Sequence, residues 1–110
     1  MKIKKKTNKY FEYFEKKKLN YLEQLFHNNI ELLDPDNIIK GKNKVLIFNR
    51  KLFTKFKKIK IKVIHQAINE KKKNSFSYIK VTLDGKIFHI VDFLQFSRDE
   101  KLKKIIAFKK

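Results

Sequence analysis

A chain of 110 residues is long enough for one domain with one core. It has no cysteine, which excludes a disulfide framework, a thiol nucleophile and a Cys-based metal site. No apolar run approaches the ~20 residues that span a bilayer, and no apolar segment follows the basic start as in a secretory signal. We therefore expect a single domain, residues 1–110, in a cytoplasmic protein.

Two helices are predicted at the start of the chain. Residues 3–17 place Tyr10 and Phe14 on one broad apolar face. In residues 19–26, leucines recur at three- and four-residue spacing, which predicts a second, shorter helix. Asn28 and Asn29 are expected to end that helix.

A short strand, residues 30–33, is predicted to close at a turn formed by Asp34 and Pro35. An aspartate before proline is biased toward extended geometry, and proline fits the second position of a tight turn. After Gly41 the apolar residues from Val45 to Phe56 recur at helical spacing, which predicts a third helix.

Four long strands are predicted in the second half of the chain. From Lys58 to Val63 apolar side chains alternate with lysines, which predicts a strand with one solvated face that runs to about Asn69. Strands over 75–83, 86–97 and 101–108 follow, and Asp84-Gly85 is a strong hairpin signal. Segregated helices and strands indicate an α+β fold, in which three helices laid on a bent sheet would form a cone with an apolar mouth.

Several of these segments resemble the nuclear-transport-factor-two-like superfamily. Leu25 to Pro35, followed by Gly41 and a helix, is similar to its first half, and Ile90 to Phe96 with 102–108 is similar to its closing hairpin. The resemblance covers nearly the whole chain. It implies a cystatin-like α+β roll: a strongly curved antiparallel sheet with the three helices on its concave face. The fold alone does not imply one function, because it hosts isomerases, cyclases, dehydratases and non-catalytic modules.

Within that superfamily the chain is most similar to ketosteroid isomerase and the SnoaL-like polyketide cyclases. The resemblance implies that Asp34, in its Asp-Pro pair, is the general base. It also implies that Tyr10 on the first helix and Asp92 on the third long strand donate to an oxyanion. One departure from the pattern is Lys109, which stands where the isomerase has an aromatic lining residue, and tryptophan is absent.

Two of these three residues also have an ordinary structural explanation. Asp34 is a common turn former before proline, and Tyr10 on an apolar helix face is typical of a core tyrosine. Asp92 lies mid-strand among apolar residues, where an unpaired carboxylate costs free energy and no turn or cap explains it. The other side chains expected to line the cavity are mostly apolar: Phe14, Phe48, Phe88, Ile90, Leu94 and His65.

The strong positive charge, +18, has two interpretations. A basic surface can bind nucleic acid, with an affinity that falls steeply with salt. However, only two of the 29 basic residues are Arg, and Lys, Ile, Phe and Asn, which an AT-rich genome over-uses, supply 61 of 110 residues. A protein that recognises the phosphates or bases of a nucleic acid usually has a larger share of Arg among its basic residues. We therefore interpret the charge as a generally basic surface that could steer anionic ligands.

Two functions stay open from the sequence. One is an isomerase-like or cyclase-like enzyme that transfers a proton next to a carbonyl of a small apolar ligand. The other is a non-catalytic ligand-binding or dimerisation module, in which Asp92 would be paired and the cavity closed. The three histidines have no metal-ligand spacing, so neither a metal nor a cofactor is expected. A homodimer packed sheet to sheet is expected to cover the second apolar face of the sheet.

Overall fold

The computed structural model describes residues 1–110, which form three helices and six strands. The helices are α1 (Lys2–Glu15), α2 (Leu19–Leu25) and α3 (Lys42–Lys55). The strands are β1 (Phe26–Leu33), β2 (Ile38–Lys40), β3 (Ile59–Asn69), β4 (Asn74–Leu83), β5 (Lys86–Phe96) and β6 (Leu102–Lys109). No helix has the length and apolar character needed to cross a bilayer.

All six strands belong to one sheet, in the order β2-β1-β6-β5-β4-β3. The four long strands β3 to β6 form the predicted antiparallel meander. The sheet as a whole is mixed rather than antiparallel, because β1 runs parallel to β6 and antiparallel to β2. The α+β class predicted from the sequence is confirmed, with α1 contacting β3 and β4 and α3 contacting β1 and β2.

The start of β1 was predicted wrongly. Asn28 and Asn29 do not end a helix; they are exposed residues inside a strand that begins at Phe26. A shift in the pairing register between Phe26 and Glu31 explains the error, because it breaks the two-residue alternation from which a strand is recognised. The three-residue strand β2 was missed, since so short a segment carries no periodic pattern.

The hydrophobic core lies between the helices and the inner face of the sheet. Its buried side chains come from the helices and from the sheet, which fixes the helices on one side of the sheet. They include Ile3, Phe11, Leu22, Phe26, Ile30, Val45, Ile79, Leu94, Phe96 and Leu102.

The predicted hairpin at Asp84-Gly85 joins β4 to β5. Both residues have positive φ, +50° and +87° respectively, as a tight two-residue turn between twisted strands requires. The turn sets the register in which Ser77 of β4 lies opposite Asp92 of β5. The position of Asp92 in the sheet therefore depends on this turn.

Candidate functional site

A cavity of about 520 Å³ lies between α1, α3 and the inner face of the sheet. Tyr10, Asp34 and Asp92 all line it. Most of the remaining wall is apolar, as in typical small-molecule sites. Four exposed lining residues, two from the turn after Asp34 and two lysines, form what we call the rim: Pro35, Asp36, Lys55 and Lys109.

Asp92 projects from the middle of β5 into this cavity. Its cross-strand neighbours are the small residues Ser77 on β4 and Ala107 on β6, so space remains around the carboxyl group. The residue is only 8% exposed, and no side chain or backbone group forms a hydrogen bond or ion pair with its carboxyl. Burial raises the pKa of Asp92 to about 7, because desolvation disfavours the charged form.

Tyr10 faces the same cavity from α1. Its ring packs against Phe11 and Phe14, with ring centroids 5.4 and 6.1 Å away. Burial raises the pKa of the Tyr10 hydroxyl well above its ordinary value, and the nearby Asp92 charge adds to that increase. Tyr10 is therefore a neutral hydrogen-bond donor at physiological pH.

Asp34 reaches the cavity from the turn between β1 and β2. Its Oδ1 accepts hydrogen bonds from the Asp36 backbone N–H (2.9 Å) and from Asn37 Nδ2 (3.0 Å). Its Oδ2 lies 3.2 Å from the same Asn37 nitrogen. The side chain thus serves the turn as the sequence suggested, but a carboxylate offers about four acceptor positions, so it retains capacity to take up a proton.

Four of the other predicted lining residues, Phe14, Phe48, Phe88 and Ile90, border the cavity. Leu94 does not; it is fully buried in the core beside Phe26 and Phe96. His65 was also misplaced. A register shift between Val63 and His65 reverses the alternation of β3, so His65 lies opposite Tyr78 and is exposed on the other face of the sheet.

Asn49, a buried residue of α3 that lines the cavity, was not predicted from the sequence. A signal was present: Asn49 falls four residues after Val45, on the helix face that otherwise carries apolar side chains. Lys109, noted as a departure from the family pattern, places its ammonium 4.8 Å from the centroid of the Phe88 ring. A cation at that distance stacks favourably on an aromatic face.

The arrangement offers a bound ligand a carboxylate near the rim and two neutral donors deeper in an apolar wall. Below pH 7 Asp92 is mostly protonated, so both Tyr10 and Asp92 can donate a hydrogen bond to one oxygen atom. Neither in the cavity nor elsewhere in the chain is a group of three or more His, Cys, Asp and Glu residues placed to hold a metal ion.

No protein-family model and no curated protein sequence matches the chain. Solved structures do. A candidate ketosteroid isomerase from Kribbella flavida superposes with a TM-score of 0.87 at 16% identity, covering 99% of this chain and 78% of that one. A candidate SnoaL-like polyketide cyclase from Shewanella denitrificans gives 0.86 at 12% identity, covering 98% and 90%.

A third similar structure, a nuclear-transport-factor-two-like protein of unknown function from Cytophaga hutchinsonii, gives a TM-score of 0.82 at 8% identity. It covers 98% of this chain and 89% of its own length. Identities this low are evidence of a shared fold and do not transfer an activity. The chain therefore has the fold shared by the nuclear-transport-factor-two-like proteins, the SnoaL-like cyclases and the ketosteroid isomerases.

Proposed function

We propose that this protein binds a small, mainly apolar ligand that carries a carbonyl group and catalyses proton transfer at the adjacent carbon. Asp34 is the general base, and Tyr10 and Asp92 donate hydrogen bonds to the carbonyl oxygen. The observation that carries the proposal is that these three residues, from α1, the β1–β2 turn and β5, line one cavity. If the resulting enolate is protonated at a different carbon, the reaction is an isomerisation. If it bonds to another carbon of the same ligand, the reaction is a cyclisation.

The reaction begins when the Asp34 carboxylate removes a proton from the carbon next to the carbonyl. The C–H bond breaks, its electron pair forms a C=C bond, and the carbonyl oxygen becomes an enolate oxygen. Asp34, now protonated, returns the proton to a different carbon in an isomerisation. In a cyclisation the enolate carbon instead forms a bond to a second carbonyl carbon of the same ligand, whose C=O π bond breaks, and the resulting alkoxide oxygen takes up the proton from Asp34.

Tyr10 and protonated Asp92 lower the barrier by binding the enolate oxygen more tightly than the neutral carbonyl. Donors already fixed in a water-poor site need no reorganisation, and each is worth about 3 kcal/mol of barrier. The raised pKa of Asp92 supports this role, since an ionised carboxylate would repel the enolate. Ketosteroid isomerase itself uses a neutral carboxylic acid as a donor in this way.

The proposal is tested by following conversion of 3-cyclohexen-1-one and of 5-androstene-3,17-dione to their conjugated isomers by ultraviolet absorbance. The Asp34→Asn variant should lose at least about a hundredfold in rate, since a general base commonly contributes that much. Glu31→Gln is the matched control. Glu31 lies on β1, just before the turn that holds Asp34, but pairs with Lys40 and Lys104 outside the cavity, so the rate of this variant should not change.

Wild-type rates in Asp34→Asn would contradict the role of Asp34, and absence of turnover with both ketones would contradict the isomerase activity. If the ketones bind but are not converted, the cavity belongs to a non-catalytic binding module. The engagement of Asp34 in its turn favours that alternative. No protein group forms a hydrogen bond or ion pair with the Asp92 carboxyl, so it is free to donate to a ligand, and this favours the enzymatic function.

We also infer that the protein forms a homodimer through the outer face of its sheet, which we define by Phe76, Ile87, Phe93 and Phe108. Phe76 is 47% exposed, Ile87 52% and Phe108 54%. The Phe76 and Phe93 rings pack against each other on this face, tilted by 46° with their centroids 4.8 Å apart. Exposed apolar side chains gathered on one face are characteristic of an interface.

Sedimentation velocity tests the dimer. Phe76→Lys should convert it to a monomer, because the substitution places a charge in the apolar patch. Ile38→Lys is the control, since Ile38 is 73% exposed but lies on β2, away from the patch. A wild-type protein that sediments as a monomer, or a dimer that Phe76→Lys leaves intact, would exclude this interface.

A further inference from the structure

Asn49 and Asp92 are the two buried polar residues whose side chains have no hydrogen-bond partner within the protein, and Asn49 is the more enclosed of the two. It lies on α3 with 1% of its surface exposed, and its Oδ1 accepts no hydrogen bond from any protein donor. It is the sole fully enclosed side-chain oxygen or nitrogen in the protein without such a partner. By contrast, the hydroxyl groups of the buried Thr7 and Ser75 form a hydrogen bond of 2.8 Å with each other.

An unpartnered buried amide destabilises a fold, and nothing in the local structure requires it. Asn49 belongs to the apolar face of α3 with Val45 and Leu52, where a leucine would pack without leaving a polar atom unbonded. Its side chain caps no helix and bridges no two elements. The same residue borders the cavity together with Tyr10 and Asp92. A buried polar atom left without a protein partner beside a cavity points to a partner from outside the chain.

We propose that Asn49 determines which ligands this cavity accepts, by receiving a hydrogen bond from an O–H or N–H group of the ligand. The inference rests on the proposed use of the cavity as a ligand site and does not require proton transfer. The last torsion of an asparagine side chain is broad, so the amide can turn its oxygen toward a ligand at little cost.

This assignment narrows the class of ligand. Tyr10 and protonated Asp92 are donors, so they select an acceptor such as a carbonyl oxygen. Asn49 Oδ1 is an acceptor in the buried wall, so it selects a donor elsewhere on the same molecule. The preferred ligand is therefore an apolar framework with a carbonyl and a separate hydroxyl or N–H group. A plain ketone leaves Asn49 unpaired and should bind less tightly.

The test uses the isomeric dihydroxynaphthalenes, each compared with its monomethyl ether, in fluorescence titrations. The ether keeps the framework and one hydroxyl but removes the second donor. At least one isomer should bind wild-type protein about tenfold more tightly than its ether, as expected for a buried hydrogen bond. In Asn49→Leu that preference should disappear while affinity for the ether is kept.

Asn43→Leu is the matched control, because Asn43 lies on the same helix but is exposed and does not border the cavity. It should keep the wild-type preference. If Asn49→Leu does not fold, Asn49→Ala gives the same comparison. A wild-type protein with no preference for any second hydroxyl overturns the proposal, and so does a preference that survives replacement of Asn49.

Thermal unfolding without probe separates this role from a structural one. Asn49→Leu should raise the midpoint temperature, since it removes an unpaired buried group. A lowered midpoint with an unchanged probe preference would make Asn49 a structural residue and overturn the proposal. If wild-type protein does not convert the ketones, that result would count only against proton transfer. The preference for a probe measures binding and does not depend on whether a reaction follows.

Discussion

Asp92, in the cavity, and two carboxylates at the ends of the sheet behave in opposite ways. In the cavity, Asp92 is buried without a partner, and burial raises its pKa to about 7. At the sheet ends, hydrogen bonds from backbone N–H groups lower the pKa of Glu70 and of Asp84. The carboxylates that position elements of the fold, including Asp34 in its turn, therefore have hydrogen-bond partners, whereas Asp92 has none.

Glu70 acts as a cap for a helix distant in sequence. Helix α1 has no side-chain cap of its own. Glu70, just after β3, accepts hydrogen bonds from the backbone N–H groups of Ile3 (2.9 Å) and Lys4 (3.1 Å). Two of the N–H groups left free at the helix start are thereby satisfied, and the negative charge complements the helix dipole. Because Tyr10 is on α1, Glu70 helps to place a proposed donor.

Asp84 plays a similar role at the opposite end of β3. Its carboxylate accepts hydrogen bonds from the backbone N–H groups of Lys58 (2.7 Å) and Lys57 (3.2 Å), where the chain leaves α3 and enters β3. The Lys17 ammonium binds the backbone carbonyls of Phe56 and Lys57 in the same segment. Charged side chains thus fix this junction through backbone atoms rather than through ion pairs.

The largest expected effect is on the pH dependence of stability through Asp92. Its pKa is higher in the folded protein than in the unfolded chain, so protonation of Asp92 stabilises the folded state. The contribution is fully present below the ordinary pKa near 3.8 and is lost as pH rises through about 7. Between pH 4 and pH 8 the loss amounts to roughly 4 kcal/mol in the free energy of unfolding.

Urea denaturation of wild type and Asp92→Asn at each pH measures this effect. Asparagine resembles the neutral acid, so the variant should match wild type near pH 4 and exceed it in stability by pH 8. The other carboxylates titrate in both proteins and cancel in the difference. A difference that does not change between pH 4 and pH 8 would mean that Asp92 is solvated or paired in solution.

Glu70→Gln should have the next largest effect, in the opposite pH direction. The pKa of Glu70 is lowered in the folded state, so its contribution is present above its ordinary value of 4.5 and is lost as pH falls. At pH 7 the variant should unfold at a temperature a few degrees lower. Below pH 4 its midpoint should converge with that of wild type, as measured by circular dichroism.

The exposed Glu12→Gln on α1 is the control for Glu70→Gln. Glu12 pairs only with Lys9 and Lys16 on the helix surface, and such pairs contribute little. If both variants lose the same stability at pH 7, the effect of Glu70 reflects overall charge and not the helix cap. In a protein of net charge +18 that comparison is needed, since removing any negative charge increases repulsion.

The contrast between Asp92 and Glu70 also explains which features of the fold and the site could be predicted from the sequence. Asp92 was recognisable because a carboxylate in an apolar strand breaks a two-residue pattern, and the long strands and helices have clear periods. His65 and Leu94 were misplaced because a bulge in β3 and the depth of the core depend on tertiary packing. The role of Glu70 could not be predicted, since no local signal shows that its partners are Ile3 and Lys4, 67 and 66 residues away.

The smallest effect is expected for Asp84→Asn. Asparagine tolerates the positive φ of +50° at this position and keeps an oxygen that can accept the hydrogen bond from Lys58. The substitution removes the charge and replaces the second acceptor with an NH2 group, so the longer bond, from Lys57 (3.2 Å), is lost while the shorter one, from Lys58 (2.7 Å), is kept. The unfolding midpoint at pH 7 should therefore fall less than in Glu70→Gln. Asp84→Ala removes both acceptors and strains the turn, and should cost more than either. If Asn and Ala at this position were equally destabilising, the charge rather than the hydrogen-bond geometry would hold the junction of α3 and β3.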